Sequence, residues 1–283
     1  MNSSKILNGV SAVIADMSRI GLIAGNRKFP IIIACEAKRK YYSVVAIAIK
    51  GETSLRLSKF VEKIYWIGLD EFSKIIDVLK NENITEVVMA GQISPHHLFS
   101  PKLRSSAEIS NLLDSLKDER ADTIFGAIAK RIEERGIRIL NSTFLLGEFL
   151  PRKGILTKKE PGFSHWEDIH LGFNIAKEIA NLDIGQTVAI KDKAIVAIEA
   201  LEGTDNLIKR AGRITQKGLI MVKVSKPAQD MRFDVPVIGL GTIKNLVCAH
   251  AAGLAIEAEK TLFIDQQPAL KLADKKGLFV VAV

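Results

Sequence analysis

The first half of this chain alternates short apolar runs with helical patterns, and that alternation leaves few folds open. Ile20–Ala24 is an apolar run, Gly25-Asn26-Arg27 a turn, Pro30–Arg39 a helical stretch, and Ser43–Ile49 a second apolar run. Strand, crossover helix and strand predict parallel pairing with a right-handed connection. Ile64–Gly68 reads as a further strand, and Asp70 then caps a helix with Phe72, Ile75, Ile76 and Leu79 on one face. Ile84–Ala90 is another buried strand. A helix carrying Ile124, Ile128 and Ile132 leads through Gly136 into the strand Ile137–Leu140. The domain expected over residues 1–145 is therefore Rossmann-like, built on a parallel sheet. In such sheets ligands meet the turns beyond the carboxyl ends of the strands. That rule nominates Gly25, Asn26, Gly91 and Gln92 as substrate contacts. G-L-I-A-G-N lacks the glycine spacing of a dinucleotide fingerprint. Asp122 reads either as the cap of its helix or as a substrate-facing carboxylate in the same crevice. His96 and His97 are adjacent in a loop, where neighbouring side chains rarely converge on a metal.

Periodicity fades over residues 146–162, where Pro151, Gly154, Pro161 and Gly162 punctuate a basic stretch that reads as a linker. Residues 163–283 form a second α/β domain. Asp168–Leu182 is an amphipathic helix, and Thr187–Ile190 and Ala194–Glu199 form a hairpin through Lys191-Asp192-Lys193. The hairpin makes this second sheet mixed. Helices near Asn206–Arg213 and Thr242–Ala252 and strands at Gly218–Val224, Gly253–Ala258, Thr261–Ile264 and Gly277–Val283 complete it.

Two stretches of the second domain carry chemistry. E-A-L-E-G-T-D presents Glu202 and Asp205 beside Gly203 and Thr204, with Thr204 or Asp205 capping a helix. Carboxylates next to exposed helix N–H groups suit a magnesium ion and a phosphate; a plain capping turn is the bland alternative. The strand Gly218–Val224 breaks into a loop bearing Lys223, Lys226, Gln229, Asp230, Arg232 and Asp234, stiffened by Pro227 and Pro236. Cations beside carboxylates on a rigid loop suit a metal-assisted reaction on an anionic substrate. A solvated loop with surface ion pairs is the competing reading.

The net charge of +8 favours anionic partners: nucleic acid, phosphorylated metabolites or an anionic membrane face. Aromatic residues make up only 6% and do not interleave with basic ones, which argues against stacking on bases. No apolar run approaches the roughly 20 residues that span a bilayer. Met1–Arg19 reads as a frayed extension rather than a signal peptide. Cys35 and Cys248 sit in apolar surroundings and read as buried free thiols of a reducing cytoplasm. Other classes compete: a nicotinamide or flavin oxidoreductase on the first domain, a nucleic-acid binder, and a sugar-nucleotide transferase.

The runs I-G-L-I-A-G-N-x-x-F-P (20–30), G-I-L-T (154–157), E-A-L-E-G-T-D (199–205) and K-P-x-Q-D-x-R-x-D-x-P-x-I-G (226–239) resemble the LpxI-type UDP-2,3-diacylglucosamine pyrophosphatases. The likeness extends from about Arg19 over nearly the whole chain, and the last two motifs are the specific ones. It implies a step of lipid A synthesis, the Mg2+-dependent hydrolysis of UDP-2,3-diacylglucosamine to UMP and 2,3-diacylglucosamine 1-phosphate. It also implies two domains joined by a linker. With the motif chemistry it nominates Asp230, Gln229, Arg232 and Lys226 as catalytic, and Asp230, Asp234, Glu202 and Asp205 as metal-binding. Gly203, Thr204 and Lys223 join the substrate contacts. The expected setting is cytoplasmic, with peripheral contact at the inner membrane surface and no nucleic-acid partner; homo-oligomerisation stays open. Two departures from the family pattern are Asn26, where a glycine is frequent, and Ile169-His170-Leu171-Gly172, where a small residue and an arginine are frequent.

Overall fold

Near-continuous apolar strands must be covered on both faces, and the N-terminal sheet satisfies this with helices on either side. The computed structural model describes residues 18–94, 107–116, 118, 121–227 and 229–283, the side chains at 107, 108, 121 and 122 excepted. The readings of residues 1–17 and of His96–His97 lie outside these residues. The chain divides into two units, Met1–Leu145 with Met231–Phe233, and Leu146–Asp230 with Asp234–Val283.

Unit 1 runs β1 (Arg19–Ala24), α1 (Phe29–Arg39), β2 (Ser43–Ile49), β3 (Lys63–Ile67), α2 (Phe72–Asn81), β4 (Glu86–Ala90), α3 (Ala107–Asp114), α4 (Ala121–Glu133) and β5 (Arg138–Leu140). Its sheet has the order β3-β2-β1-β4-β5, and every pairing is parallel. The direction of winding reverses between β1 and β4, the switch point where an open α/β sheet leaves a crevice. Phe72, Ile75, Ile76 and Leu79 of α2 are buried in one cluster with Val45, Ile47 and Val87. Asp70 is not the cap of α2. The cap position is Glu71, whose carboxylate reaches back to accept the Gly68 N–H at 2.9 Å.

A carboxylate clamp closes the far end of this sheet. Glu82 accepts from Arg19 at 3.0 Å, from Lys63 at 2.9 and 3.0 Å, and from the Tyr65 hydroxyl. The Tyr65 hydrogen bond, followed by those of Lys63 and Arg19, holds its pKa at about 2. Because the folded value lies below the unfolded one, the stabilisation is complete above the ordinary value of 4.5 and fades as pH falls from there towards 2. Glu82→Gln is therefore expected to flatten the pH dependence of unit 1 stability across that window, read from urea midpoints. Identical pH slopes for variant and wild type would contradict the clamp.

Unit 2 contains β6 (Gly154–Ile155), α5 (Phe163–Asn181), β7 (Thr187–Lys191), β8 (Ala194–Ile198), α6 (Thr204–Thr215), β9 (Ile220–Lys223), β10 (Val237–Ile238), α7 (Leu240–Cys248), β11 (Gly253–Ile256), β12 (Leu262–Phe263), α8 (Gln266–Lys276) and β13 (Phe279–Ala282). The main sheet is ordered β6-β13-β11-β9-β7-β8. Its β13, β11 and β9 are parallel, while β6, β7 and β8 pair antiparallel. β10 and β12 form a separate parallel pair. Gly154–Ile155, in the stretch read as a linker, is thus an edge strand of this sheet. Ile169, Ala176 and Ile179 of α5 cover one face. Leu207, Ile243, Leu246 and Ala273 from α6, α7 and α8 cover the other.

The β7–β8 hairpin turns through Asp192 and Lys193, both at positive φ (49° and 62°), as a tight turn of this hand requires. The buried Asp168 carboxylate accepts both turn N–H groups, at 3.0 and 2.7 Å. In the departing stretch beside it, Ile169 is core, and a Cβ on Gly172 would lie 2.8 Å from Val222. That glycine serves close packing of α5 on β9. Both cysteines are free thiols, but neither is buried: Cys35 is half-buried and Cys248 exposed.

Candidate active site

The carboxyl end of β9 concentrates the polar chemistry of unit 2. Lys223 is 3% exposed, because β9 is a central strand with helices on both faces. Its ammonium donates to the hydroxyls of Thr204 at 2.9 Å and Thr187 at 3.3 Å. Thr204 in turn donates to Glu199 Oε1 at 2.7 Å. Glu199 is 6% exposed; its Oε2 lies 3.8 Å from Lys223 and has no hydrogen bond. A buried charge needs a partner, and here lysine and carboxylate meet through the hydroxyl that starts α6.

That start differs from the expected cap. Gly203 occupies the cap position at φ 77°, and neither Thr204 nor Asp205 caps. Nothing lies within 4 Å of where a Cβ on Gly203 would stand, so the space before the helix N-terminus is open. The first N–H groups of a helix have no intrahelical acceptor and favour an anion.

Beyond β9 the Lys226–Asp234 loop is closed by its own hydrogen bonds. The Lys226 N–H donates to Gln229 Oε1 at 2.7 Å, Gln229 Nε2 donates to the Asp234 carbonyl, and the Asp234 N–H donates to the Asp230 carbonyl at 3.0 Å. The Lys226 ammonium lies 2.6 Å from Asp183 and 3.2 Å from Asp234 Oδ2. Asp234 Oδ2 is buried there without an aligned hydrogen bond. The structure thus brings Lys226, Gln229, Asp230 and Asp234 into one body. It sets Arg232 apart. Met231–Phe233 belong to unit 1, where Arg232 makes two bonds of 2.9 Å to Glu133 and its carbonyl accepts from Ser142 at 2.8 Å.

The four carboxylates nominated for a metal do not form one donor set. Glu202 accepts from Arg210 at 2.6 Å and from the Ala200 N–H at 3.1 Å. Burial opposes its charge, but Arg210 and the backbone N–H groups outweigh that and hold its pKa below the ordinary value. Asp205 accepts from Asn245 at 2.9 Å. Among the described residues, no three His, Cys, Asp or Glu side chains gather to hold a metal ion. Glu202 and Asp205 are instead taken up by Arg210 of α6 and Asn245 of α7.

In unit 1 the nominated turns do meet. The Gly25 N–H donates to the Ala90 carbonyl and the Asn26 N–H to the Gln92 carbonyl, both at 2.8 Å. A Cβ on Gly25 would fall 2.5 Å from the Gln92 carbonyl oxygen, so this glycine is already required by the neighbouring turn. Asn26 Nδ2 donates to Glu52 at 2.7 Å and to Ser94 at 3.1 Å. Glu52 was not foreseen: it follows β2 and also accepts the Ser94 N–H at 2.7 Å. Asp122 is the second residue of α4, and its side chain lies outside the described part. An apolar cavity of about 70 Å³ lies beneath the turns, lined by Ile23, Phe72, Met89, Phe125 and Phe233 among others.

A family model described as LpxI N-terminal domain matches residues 19–149, and one described as LpxI C-terminal domain matches residues 152–281. The UDP-2,3-diacylglucosamine pyrophosphatase LpxI of Caulobacter vibrioides is 30% identical over 279 residues, covering 94% of this chain and 98% of that protein. Among solved structures, the biotin carboxylase domain of a thermophilic 2-oxoglutarate carboxylase bound to bicarbonate is 16% identical, with a TM-score of 0.29 over 71% of this chain and 42% of that one. The biotin carboxylase subunit of a pyruvate carboxylase is 15% identical, with a TM-score of 0.29 over 70% and 41%. This chain spans less than half the length of those carboxylases, and a likeness at that level carries no argument.

Proposed function

This chain belongs to the LpxI family, and on that premise we propose the following reading of its site. It hydrolyses the pyrophosphate bond of UDP-2,3-diacylglucosamine, a step of lipid A biosynthesis, to UMP and 2,3-diacylglucosamine 1-phosphate. The observation that carries the assignment of residues is the buried Lys223–Thr204–Glu199 cluster, placed where β9 feeds the K-P-x-Q-D loop.

Hydrolysis of a phosphoric anhydride needs neutralised phosphoryl oxygens, an in-line water and a stabilised leaving group. Lys223 and the first N–H groups of α6 receive phosphoryl oxygens, and Gly203 lets them approach because no side chain fills that space. Lys226 adds positive potential, and Asp230 orients the water and takes its proton. Gln229 keeps the loop closed. Arg232, bonded to Glu133, anchors residues 231–233 instead of clamping phosphate. Gly25, Asn26, Gly91 and Gln92 stay in the proposal as substrate contacts.

Magnesium prefers one or two carboxylates together with substrate phosphates and retained waters. Asp230 would supply the carboxylate for such an ion; Asp234 is paired with Lys226, Glu202 with Arg210 and Asp205 with Asn245. The ion would supply neutralisation of phosphoryl charge. EDTA is expected to abolish turnover and excess magnesium to restore it, and EDTA-resistant hydrolysis would exclude the ion. Equal release of UMP and lipid 1-phosphate tests hydrolysis against transfer. The net charge of +8 supports a cytoplasmic protein that meets its substrate at the anionic inner-membrane surface. No described helix is long and apolar enough to cross a membrane.

A further inference from the structure

Ser225 sits between β9 and the Lys226–Asp234 loop, 3% exposed, with all its polar groups engaged. Its N–H and its hydroxyl each donate to Glu257 Oε2 at 2.7 Å. Its carbonyl accepts from the Lys177 ammonium at 2.9 Å. Lys177 also donates to both Glu257 oxygens, at 2.7 and 2.6 Å, and lies 5.7 Å above the Phe173 ring. Lys177 comes from α5 and Glu257 from the residue after β11, so two separate elements grip one residue. We infer that Lys177 and Glu257 are positioning residues that set the orientation of the Lys226–Asp234 loop through Ser225, an assignment that rests on the hydrolytic reading above.

Lys226, Gln229, Asp230 and Asp234 are tied to one another by hydrogen bonds, so the orientation of the root at Ser225 is passed on to Lys226 and Asp230. A residue fixed at N–H, carbonyl and hydroxyl has no freedom to rotate, and the ion pair supplies directed bonds that an apolar pair of equal volume would not. A half-buried ion pair is weak support for stability alone. Lys226 has a second tether to Asp183, so loss of the grip loosens the loop without releasing it.

The test uses the full chain with Glu257→Ala, Lys177→Met and Lys177→Arg. Glu257→Ala and Lys177→Met are expected to lower kcat on UDP-2,3-diacylglucosamine about 10- to 100-fold, the scale of a roughly 1 Å misplacement, with KM little changed. Lys177→Arg, which keeps the charge and the donors, restores most of kcat. Amide hydrogen exchange across residues 226–234 rises in the first two variants and returns to the wild-type pattern in the third. Wild-type kcat and wild-type exchange in both disruptive variants would overturn the inference. So would a kcat loss that tracks only the fraction unfolded. If the wild-type chain released no UMP, the hydrolytic reading would fail, while the exchange data would still decide whether Lys177 and Glu257 hold the loop.

Discussion

Asp230→Ala is expected to fold like the wild type and to lose about 10³-fold in turnover, within the range for removal of a positioned general base. The Asp234 N–H donates to the Asp230 carbonyl, and a side-chain truncation leaves that backbone bond in place. Gln229 and Lys226 keep their own bonds to each other. The loss should therefore appear in kcat with a melting temperature close to the wild-type value. Asp230→Asn, isosteric but uncharged, should lose a similar factor, because charge and proton acceptance are what the position supplies. A fully active Asp230→Ala protein would remove the loop from the mechanism.

Lys223→Met has the largest expected effect on stability. Its ammonium is the counter-charge of Glu199, and both are almost entirely buried. Removing one partner of such a pair leaves an uncompensated charge and costs about 3–5 kcal/mol. For a unit of this size that corresponds to a melting temperature lower by roughly 10–20 °C. Methionine fills similar volume, so the loss is electrostatic rather than a cavity effect. Adding Glu199→Gln should recover most of the stability, because the orphaned charge is then gone. Turnover should stay low in the double variant, because no lysine remains to meet a phosphoryl oxygen. The double-mutant comparison separates the two roles. A Lys223→Met protein with wild-type melting and turnover would contradict both.

What the sequence could tell followed from range. Ile20–Ala24, Ser43–Ile49 and the α2 stripe were legible because burial on both faces, or on one helical face, writes an apolar pattern into neighbouring residues. The β7–β8 hairpin was legible because its turn is local. Gly154–Ile155 was not, since two residues become a strand only by pairing with β13 across the sequence. The α2 cap was misassigned by one residue, because Glu71 reaches back to Gly68 where the shorter Asp70 does not cap. In the site, the K-P-x-Q-D loop and the strand-end turns came from motif and position. Glu52, Lys177 and Glu257 were missed, since their partners Ser94 and Ser225 lie far along the chain. The strand-end rule that found Gly25 would have flagged Glu257 had it been applied after β11. The pairing of Glu202 with Arg210, two turns along α6, is likewise not written in the E-A-L-E-G-T-D motif itself.

The most direct test is a single turnover of UDP-2,3-diacylglucosamine in oxygen-18 water with magnesium, followed by mass spectrometry of both products. Attack by water at one phosphorus predicts UMP and 2,3-diacylglucosamine 1-phosphate in equal amounts, with one labelled oxygen in just one of the two. Intact substrate, or cleavage that leaves neither product labelled, would contradict hydrolysis at this site.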